Sequence, residues 1–445
     1  MKEYIKSIEQ HLTEYLGHLQ EITDSAVGIT RLAFTDRDWQ GRAYLISLME
    51  HVGLTVREDA FGNVFGHLPG KNKTAQLPVI MCGSHGDSVP QGGNYDGIVG
   101  VLTAIEVARL LQDETGQSVL EHPYEVAIFM NEEGSRFGAA TLGSRALVGD
   151  LKQADLDHLV DKKGITLRNA LRARNLDDSK IGKRLYKQPI HAFLEAHIEQ
   201  GRVLENAGYH LGVVTGIAAP TRYMLRLVGR ADHSGATPMA MREDALCGAA
   251  QVILKAESLA RKMSELAREA AVLQETNFTV EGMTIEAKDL APVVATVGTM
   301  AITPGAMNVI PGDVQLGIDI RSISKVAKNT VCQALIEYVE MVCNERNLSC
   351  EFKLIVDEMP VPVEREMIEL LTHAAQSVGI DSMALPSGAG HDAMNMAKIT
   401  HTGMLFIPCK DGISHNPKEA ASVTHMGQAV LVMAQAIKVL DKKEF

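Results

Sequence analysis

The spacing of hydrophobic positions divides the chain into helical and extended segments. Residues 39–51 carry apolar side chains at intervals typical of one helical face. Further on, residues 77–85 form a continuous apolar run typical of a buried strand, residues 97–111 are helical again, and residues 125–133 predict a second buried strand that ends on acidic residues. This alternation predicts an open α/β sheet whose ligands lie at the carboxyl ends of the strands.

A different pattern begins after Val213 and has the order β-α-β-β-α-β, which is typical of a compact α+β unit. Its elements are residues 221–229, 244–268, 292–300, 314–322, 326–346 and 349–357. We therefore predict a discontinuous main domain, residues 1–213 and 359–445, interrupted by an inserted domain, residues 214–358. Residues 272–290 are polar and weakly patterned, and they are predicted to form a loop.

Composition and charge narrow the class of protein. The 445 residues include 43 Lys and Arg and 55 Asp and Glu, a formal net charge of −12, which argues against nucleic acid or an anionic membrane as a partner. The N-terminus is too charged for a signal peptide, and no apolar run approaches the ~18 residues of a membrane span. We therefore expect a cytoplasmic protein.

The cysteines agree with a reducing compartment. They are scattered, without a Cys-x-x-Cys pair, and we predict that they are buried thiols: Cys82, Cys247, Cys332, Cys343, Cys350 and Cys409. The chain also has no G-x-S-x-G elbow, no G-x-x-x-x-G-K-[ST] loop and no G-x-G-x-x-G after a strand. A serine hydrolase of the elbow type and a nucleotide enzyme are therefore disfavoured.

The remaining candidates for chemistry are histidines and carboxylates near predicted strand ends. In GSHGDSVPQGGNYDG, His85 and Asp87 are two residues apart and point the same way, and a glycine-rich loop can bring Asp96 back beside them. Imidazole and carboxylate are ligands that divalent cations prefer. The alternative is a strand-end histidine that only makes hydrogen bonds.

A second cluster is NEEGSRFG, where Glu132 and Glu133 follow an apolar strand. Adjacent carboxylates cannot both be buried and ionised without a cation, because like charges raise each other's pKa. One can bind a metal while the other serves as general base, and the residues alone do not say which. An exposed acidic strand end is the alternative.

Two further clusters complete the set. FLEAHIEQG contributes His197, Glu199 and Gln200, and SGAGHDAMN with GISHNPKE contributes His391, Asp392 and His415. A two-metal site needs about five or six protein ligands, with one carboxylate bridging the ions. Four such clusters together therefore point to a site of this kind.

Motifs along nearly the whole chain, from about residue 54 to about residue 431, show a family resemblance. They are GSHGDSVPQGGNYDG, NEEGSRFG, LGSRALVGDL, HIEQGRVLE, GVVTGIAAP, ADHSGATPM, NVIPG, DIRS, SGAGHDAM and GISHNPKE. The chain resembles the amidase branch of the two-metal aminopeptidase-like hydrolases: N-carbamoyl-L-amino-acid hydrolases, allantoate amidohydrolases and β-ureidopropionases. The resemblance implies an α/β fold, with an aminopeptidase-like catalytic domain that has an open mixed sheet and helices on both faces. The inserted α+β domain would be a lid and dimerisation domain.

The resemblance also implies roles for the clustered residues. The implied metal ligands, with Asp96 bridging, are His85, Asp96, Glu133, His197 and His415. Glu132 would be the general base, and Asp87 would either orient His85 or stiffen the site from behind the ligands. The implied cofactors are two divalent cations per subunit, which can be Zn, Mn, Co or Ni. Glu199 receives no catalytic role, and a structural one is expected.

Substrate contacts are implied in the same way. His233 would donate to the oxyanion of the reaction, and Asn308 and Arg321 would hold the polar groups and the carboxylate of the substrate, for which a guanidinium is suited. Contacts with the ureido group and the acid end would come from Gln200 and from the loop Gly388, Ala389, Gly390 and His391.

The function expected from these residues is hydrolysis of an N-carbamoyl-L-amino acid to the L-amino acid, ammonia and carbon dioxide. The alternatives are allantoate, another ureido or N-acyl amino acid, and a dipeptide. A non-catalytic relative would be expected to lack a metal ligand or the general base. This chain has all five implied ligands and Glu132. The expected partners are a small ureido-carboxylate and a second copy of the chain, bound through the inserted domain.

Overall fold

The computed structural model describes residues 2–72, 76–270, 272 and 276–444. The chain forms two compact units. Unit 1 comprises Met1–Thr215, Val363–Leu385 and Gly390–Phe445, and unit 2 comprises Gly216–Pro362 and Pro386–Ala389.

The described helices and strands are numbered in chain order. The helices are α1 (Lys2–Glu21), α2 (Asp36–His51), α3 (Ile98–Leu110), α4 (Leu142–Val148), α5 (Asp155–His158), α6 (Leu167–Ala173), α7 (Val203–Ala207), α8 (Ala245–Ala270), α9 (Lys325–Arg346), α10 (Arg365–Ser377), α11 (Ala393–Met396) and α12 (Val423–Leu440). The strands are β1 (Thr55–Glu58), β2 (Val64–Leu68), β3 (Val79–His85), β4 (Tyr124–Phe129), β5 (Ile190–Ile198), β6 (Leu211–Ile217), β7 (Ala219–Val228), β8 (Asp232–His233), β9 (Asn277–Val280), β10 (Met283–Glu286), β11 (Val293–Thr303), β12 (Val309–Ile310), β13 (Asp313–Ser322), β14 (Ser349–Asp357), β15 (Val361–Pro362), β16 (Ser382–Ser387) and β17 (His401–Ile407).

Unit 1 contains a mixed sheet with the order β1-β2-β4-β3-β5-β17-β6. The four central strands β4, β3, β5 and β17 are parallel, and β1, β2 and β6 pair antiparallel with their neighbours. Every residue of β3 and β4 is buried, as in strands that are covered on both faces. The predicted open mixed sheet of an α/β protein is therefore confirmed.

Helices pack against this sheet and against one another. Helix α3 contacts β3, β4 and β5, and α12 contacts α1, α3, α10 and β17. By length and composition α12 is apolar enough to cross a membrane, so the prediction that no segment meets this criterion is wrong for Val423–Leu440. The helix is apolar because it packs in the core of unit 1, where ten of its residues are buried.

The order of the parallel strands positions the site. The chain places β4 on one side of β3 and β5 on the other. A ligand crevice forms where strand order reverses in this way, outside the carboxyl ends of the strands. The carboxyl ends of β3, β4 and β5 therefore share one edge of the sheet, beside such a switch point.

Unit 2 contains a four-stranded antiparallel sheet with the order β11-β13-β7-β14. Alternate residues of β13 are buried, for example Val314, Leu316 and Ile318, and they join a core with α8 and α9. Along the chain the elements follow in the order β7, α8, β11, β13, α9 and β14. The role of this unit as a lid and dimerisation domain remains a prediction.

The prediction of a loop at residues 272–290 is wrong for most of that segment. Strands β9 and β10 form an antiparallel hairpin in which Phe278 lies opposite Ile285, and both are buried. Glu281 and Gly282 turn the chain with φ of 46° and 81°, as in a two-residue hairpin turn. The signal was weak because each strand has only four residues and its outward positions are polar. Residues 273–275 lie outside the described residues.

The cysteine prediction also needs a correction. All six cysteines are free thiols, but Cys247 and Cys350 are exposed. Cys247 lies on the solvent side of α8, and Cys350 lies on the edge strand β14. The expected burial is therefore wrong for these two residues.

Candidate functional site

Parallel strand ends bring the first group of predicted residues together. His85 is the last residue of β3, His197 lies one residue before the end of β5, and Glu132 and Glu133 follow β4 by three and four residues. The rings of His85 and His197 are 5.8 Å apart, and each residue is only 1% exposed. The hydrophobic strands thus deliver two imidazoles and two carboxylates to one sheet edge.

Asp96 lies at the centre of this group. Its Oδ1 is 3.4 Å from His85 Nε2 and 3.1 Å from His197 Nε2. Its Oδ2 is 3.3 Å from His415 Nε2, which in turn lies 3.3 Å from Glu133 Oε2. The five predicted ligands therefore form two groups that could each hold a metal ion, and both groups include Asp96.

The two inner histidines are oriented by main-chain oxygens. His85 Nδ1 lies 3.1 Å from the carbonyl oxygen of Asp87, and His197 Nδ1 lies 2.9 Å from that of Ile198. A proton on Nδ1 satisfies each carbonyl and directs Nε2 towards Asp96, the arrangement in which a histidine offers Nε2 to a metal ion. Gly97 N donates to His197 Nε2 at 3.2 Å, which agrees with that tautomer.

The loop that carries Asp96 must approach these rings closely. Gly97 has φ of 66°, and a Cβ at this position would lie 2.5 Å from the ring of His85. Glycine is therefore required directly after Asp96, both for the backbone conformation and for space.

Burial and charge act in opposite directions on the titrating groups. Burial opposes protonation of His85, but Asp96 and Glu132 raise its pKa well above the ordinary value. Burial likewise works to raise the pKa of Asp96, but His197, His415 and His85 hold it well below its usual range. The site is thus organised around a carboxylate that stays ionised.

The adjacent glutamates face different partners. Glu132 Oε2 lies 3.7 Å from His85 Nε2, and Glu133 Oε2 faces His415. Asp87 accepts the backbone N–H of Glu132 at 3.0 Å and that of Glu133 at 3.4 Å, and thereby fixes both residues. Its own side chain lies 3.7 Å from His85 Nδ1.

The described residues around Glu132 and Glu133 do not balance the negative charge of the two carboxylates. Burial and the neighbouring Asp96 raise the pKa of Glu133 to about 7, and burial also raises the pKa of Glu132 well above its ordinary value. Glu133 Oε1 is buried and has no hydrogen-bond partner among the described residues. Crowded carboxylates with an unpaired oxygen fit a site for a divalent cation.

Sequence reasoning missed Ser414 and Glu419, which support Asp96. Glu419 is buried and accepts the backbone N–H groups of Tyr95 at 2.9 Å and Asp96 at 3.1 Å. Ser414 Oγ donates to Asp96 Oδ2 at 2.9 Å and lies 3.1 Å from Glu419 Oε2. Both residues lie in GISHNPKE beside His415. The motif therefore pointed to them, but only its histidine received a predicted role.

Gln200 also joins the Asp96 group. Its Nε2 donates to Asp96 Oδ2 at 2.7 Å, while its Oε1 is buried without a partner among the described residues. Glu199 points elsewhere: its two carboxylate oxygens accept the N–H groups of Val203 and Leu204 at the start of α7. Glu199 is therefore a helix cap in this structure.

His391 and Asp392 form a buried layer against His197. The His391 ring packs edge-on to that of His197 at 4.5 Å, and burial and His197 lower the pKa of His391 well below its ordinary value. Asp392 accepts a 2.5 Å hydrogen bond from Ser144, and burial and Glu195 raise its pKa to about 8. Gly390 precedes them in the same loop.

Unit 2 holds the other predicted substrate residues in two places. His233 in β8 accepts the N–H groups of Gly235 and Ala236 at Nδ1, both at 3.1 Å, so the proton of its neutral ring is on Nε2. β8 pairs with β12, which directly follows the exposed Asn308.

The second place in unit 2 is the end of β13. Arg321 Nη1 donates to the main-chain oxygen of Gly388 at 3.2 Å. The N–H of the next residue, Ala389, donates to Ser387 Oγ at 3.2 Å. Arg321 and the Gly388–Ala389 part of the predicted loop therefore lie together.

Known proteins resemble this chain over most of its length. The model of the Peptidase family M20/M25/M40 matches residues 81–439. An N-carbamoyl-L-amino-acid amidohydrolase from a Pseudomonas species is 36% identical over 427 residues, which cover 95% of each chain. An allantoate deiminase from Arabidopsis thaliana is 34% identical over 95% of this chain and 81% of its own length.

A solved structure gives the same answer for the fold. An amidase of the hydantoinase/carbamoylase family from Burkholderia multivorans superposes with a TM-score of 0.84 at 32% identity, over 98% of both chains. The family resemblance read from the motifs is therefore confirmed. The chain belongs to the Peptidase family M20/M25/M40, and it is a hydrolase that acts on linear amide C–N bonds.

Proposed function

We propose that this hydrolase cleaves an N-carbamoyl-L-amino acid to the L-amino acid, ammonia and carbon dioxide. The observation that carries the proposal is the Asp96 carboxylate, shared by two groups of candidate ligands with Glu132 beside them. The name of the Pseudomonas relative supports the carbamoyl substrate.

The residues fit two divalent cations. His85, His197 and one oxygen of Asp96 would hold the first, and Glu133, His415 and the other oxygen of Asp96 would hold the second. The donor set of imidazoles and carboxylates suits Zn, Mn, Co or Ni. When bound, such cations supply Lewis-acid activation of water and of the substrate carbonyl.

Glu132 is the proposed general base. It takes a proton from the attacking water and returns it to the leaving nitrogen, and a carboxyl group with a raised pKa is suited to both transfers. Asp87 holds the backbone of Glu132 and so fixes where the carboxylate can reach.

Gln200 favours a ureido group over a peptide. Its buried Oε1 lacks a donor, and leaving such an acceptor unpaired is costly. A carbamoyl substrate presents an NH₂ group on the carbon that is attacked, whereas a peptide presents a carbon substituent there. We assign Gln200 the role of accepting from that NH₂ group.

The other predicted substrate contacts complete the proposal. His233 presents Nε2–H as a donor for the negative charge that develops on the carbonyl oxygen. Arg321 is assigned to the substrate carboxylate and Asn308 to the polar groups of the substrate. The loop from Gly388 to His391 is assigned to the ureido group and the acid end. The cytoplasmic location and the homodimer through unit 2 also remain predictions.

Ammonia release tests the proposal directly. Protein stripped of metal and reloaded with Mn or Zn is assayed with N-carbamoyl-L-methionine, N-carbamoyl-β-alanine and allantoate, with Glu132→Gln as the control for contaminating activity. Turnover of N-carbamoyl-L-methionine supports the proposal. Turnover of allantoate alone replaces it with allantoate hydrolysis, for which the Arabidopsis relative is named. Inactivity on all three contradicts a ureido substrate.

A further inference from the structure

The polar face of the unit 2 sheet carries a row of three charged residues. Asp319 on β13 lies directly opposite Arg222 on β7. Arg321 follows two residues later on β13, so it projects from the same face. Leu316, Ile318 and Ile320 alternate with these positions and are buried, which leaves the charged residues on the opposite face.

Asp319 is the centre of this row. Its Oδ1 accepts from Arg321 Nε at 2.8 Å, and its Oδ2 accepts from Arg321 Nη2 at 3.1 Å. The same Oδ2 accepts from Arg222 Nε at 2.7 Å. Burial works to raise the pKa of Asp319, but Arg321 and Arg222 lower it below its ordinary value. Asp319 therefore stays ionised and grips one edge of the Arg321 guanidinium.

The hydrogen bonds to Asp319 leave Arg321 with N–H donors that can bind a carboxylate. Asp319 and Gly388 use three of the five N–H donors of Arg321. The two donors without a partner among the described residues suffice for the two oxygens of a carboxylate. Because the guanidinium is already fixed on two sides, binding such a group costs little additional side-chain entropy.

Arg222 balances the negative charge that Asp319 places beside Arg321. A carboxylate beside Arg321 would by itself cancel the charge that attracts an anion. The row contains two guanidinium groups and one carboxylate, so it keeps one net positive charge. Arg222 thus offsets Asp319 without occupying the free donors of Arg321.

We infer that Asp319 is a positioning residue that holds Arg321 for the substrate carboxylate, and that Arg222 maintains the positive charge of the pair. The inference rests on the proposed function, in which Arg321 binds the acid end of the substrate. It adds a residue whose removal weakens recognition of an acid while leaving the C–N chemistry unchanged.

The same two strands offer a matched control. Arg226 on β7 donates from Nε to Asp313 on β13 at 2.9 Å, and the exposed fractions of these side chains resemble those of Arg222 and Asp319. Asp313 is the first residue of β13, whereas Arg321 is the last but one, so the two lie at opposite ends of the strand. Asp313→Asn therefore removes a similar ion pair from the same sheet at a distance from Arg321.

The experiment compares KM and kcat of Asp319→Asn, Asp313→Asn and Arg321→Ala on N-carbamoyl-L-methionine, on allantoate and on N-carbamoyl-L-methioninamide, which lacks the carboxylate. We expect Asp319→Asn to raise KM for the acid that is turned over by about tenfold with little change in kcat. KM for the amide should not change, and Asp313→Asn should resemble the wild type throughout. Adding Asp319→Asn to Arg321→Ala should cause no further rise.

Two outcomes separate this inference from the proposed function. If Arg321→Ala leaves KM for both acids unchanged, the assignment of Arg321 to the carboxylate is wrong and the inference falls with it. If Arg321→Ala raises KM but Asp319→Asn matches Asp313→Asn, the proposed function stands and the positioning role is overturned. A change in kcat with equal effects on acid and amide also overturns it.

Discussion

The two halves of the Asp96 group are built differently. The inner half consists of His85 and His197, which lie on neighbouring parallel strands and are each 1% exposed. The outer half consists of Glu133 and His415, which lie on loops, and the side chain of His415 is 49% exposed. Asp96 gives one carboxylate oxygen to each half.

The difference shows how a sheet and a loop hold ligands. Main-chain carbonyls at the strand ends fix both inner rings, whereas His415 sits in a left-handed backbone conformation with φ of 53°. Asp96 Oδ2, on the outer side, also accepts hydrogen bonds from Gln200 and Ser414. A cation in the outer half would compete with these bonds, so we expect it to bind more weakly than one in the inner half and to exchange first.

Replacing Glu132 should reduce activity most while leaving the ligands of both halves intact. Glu132→Gln removes the proposed base but no proposed ligand, so turnover should fall by at least about 100-fold while bound metal stays near the wild-type amount. Ammonia release and metal content measured on the same sample check this. Substantial activity in the variant would show that another group is the base.

Removing one histidine from each half tests the comparison itself. His197→Ala takes a buried ligand from the inner half, and His415→Ala takes an exposed ligand from the outer half. We expect His415→Ala to lose one cation per chain and His197→Ala to disturb binding of both, since Asp96 loses its closest imidazole. Metal content after dialysis checks this, and equal losses in the two variants would contradict the asymmetry.

Glu419 should have a smaller effect, on the outer cation. Glu419→Gln weakens the hold on the Asp96 backbone and on Ser414, so the affinity for the more weakly bound cation should fall about tenfold, as is common for groups that orient ligands. Glu199→Gln is the control, because Glu199 caps α7 nearby. Identical metal titrations for the two variants would argue against this role of Glu419.

The smallest effect concerns pH and Asp392. Its pKa is raised to about 8 by burial and by Glu195, so the folded protein retains a proton that the unfolded chain releases above about pH 4. The wild type therefore loses stability as pH rises between these values. Asp392→Asn has no such proton, and its Tm should fall less than that of the wild type between about pH 5 and about pH 8, by about 2 °C or more.

Asp150→Asn serves as the control for the pH measurement, because Asp150 is about half exposed and belongs to a surface ion pair with Lys398. It should follow the pH dependence of the wild type. An unchanged slope for Asp392→Asn, in the same metal state, would mean that Asp392 is already ionised in the folded protein.

The sequence allowed prediction of the inner half because its physical cause is local. Apolar runs that end at or near His85 and His197 predict buried strands with candidate ligands at their carboxyl ends. The division of work between Glu132 and Glu133 depends on which imidazole each carboxylate faces, and the residues alone could not give it. The family resemblance supplied that assignment.

Other features have partners too distant for a local pattern. Glu419 binds backbone N–H groups more than 320 residues earlier, and any residue except proline could supply those donors. Asp319 was hidden in the same way, because its cross-strand partner Arg222 is 97 residues away. The β9–β10 hairpin was missed because four-residue strands carry too few inward positions to establish a period.

The electron paramagnetic resonance spectrum of the Mn-loaded protein shows whether two cations share Asp96. Ions bridged by one carboxylate are close enough for their spins to couple. At full loading we predict the spectrum of a coupled Mn pair, and at lower loading the spectrum of a single ion in the inner half. A fully loaded protein that shows only isolated Mn ions would contradict the shared site.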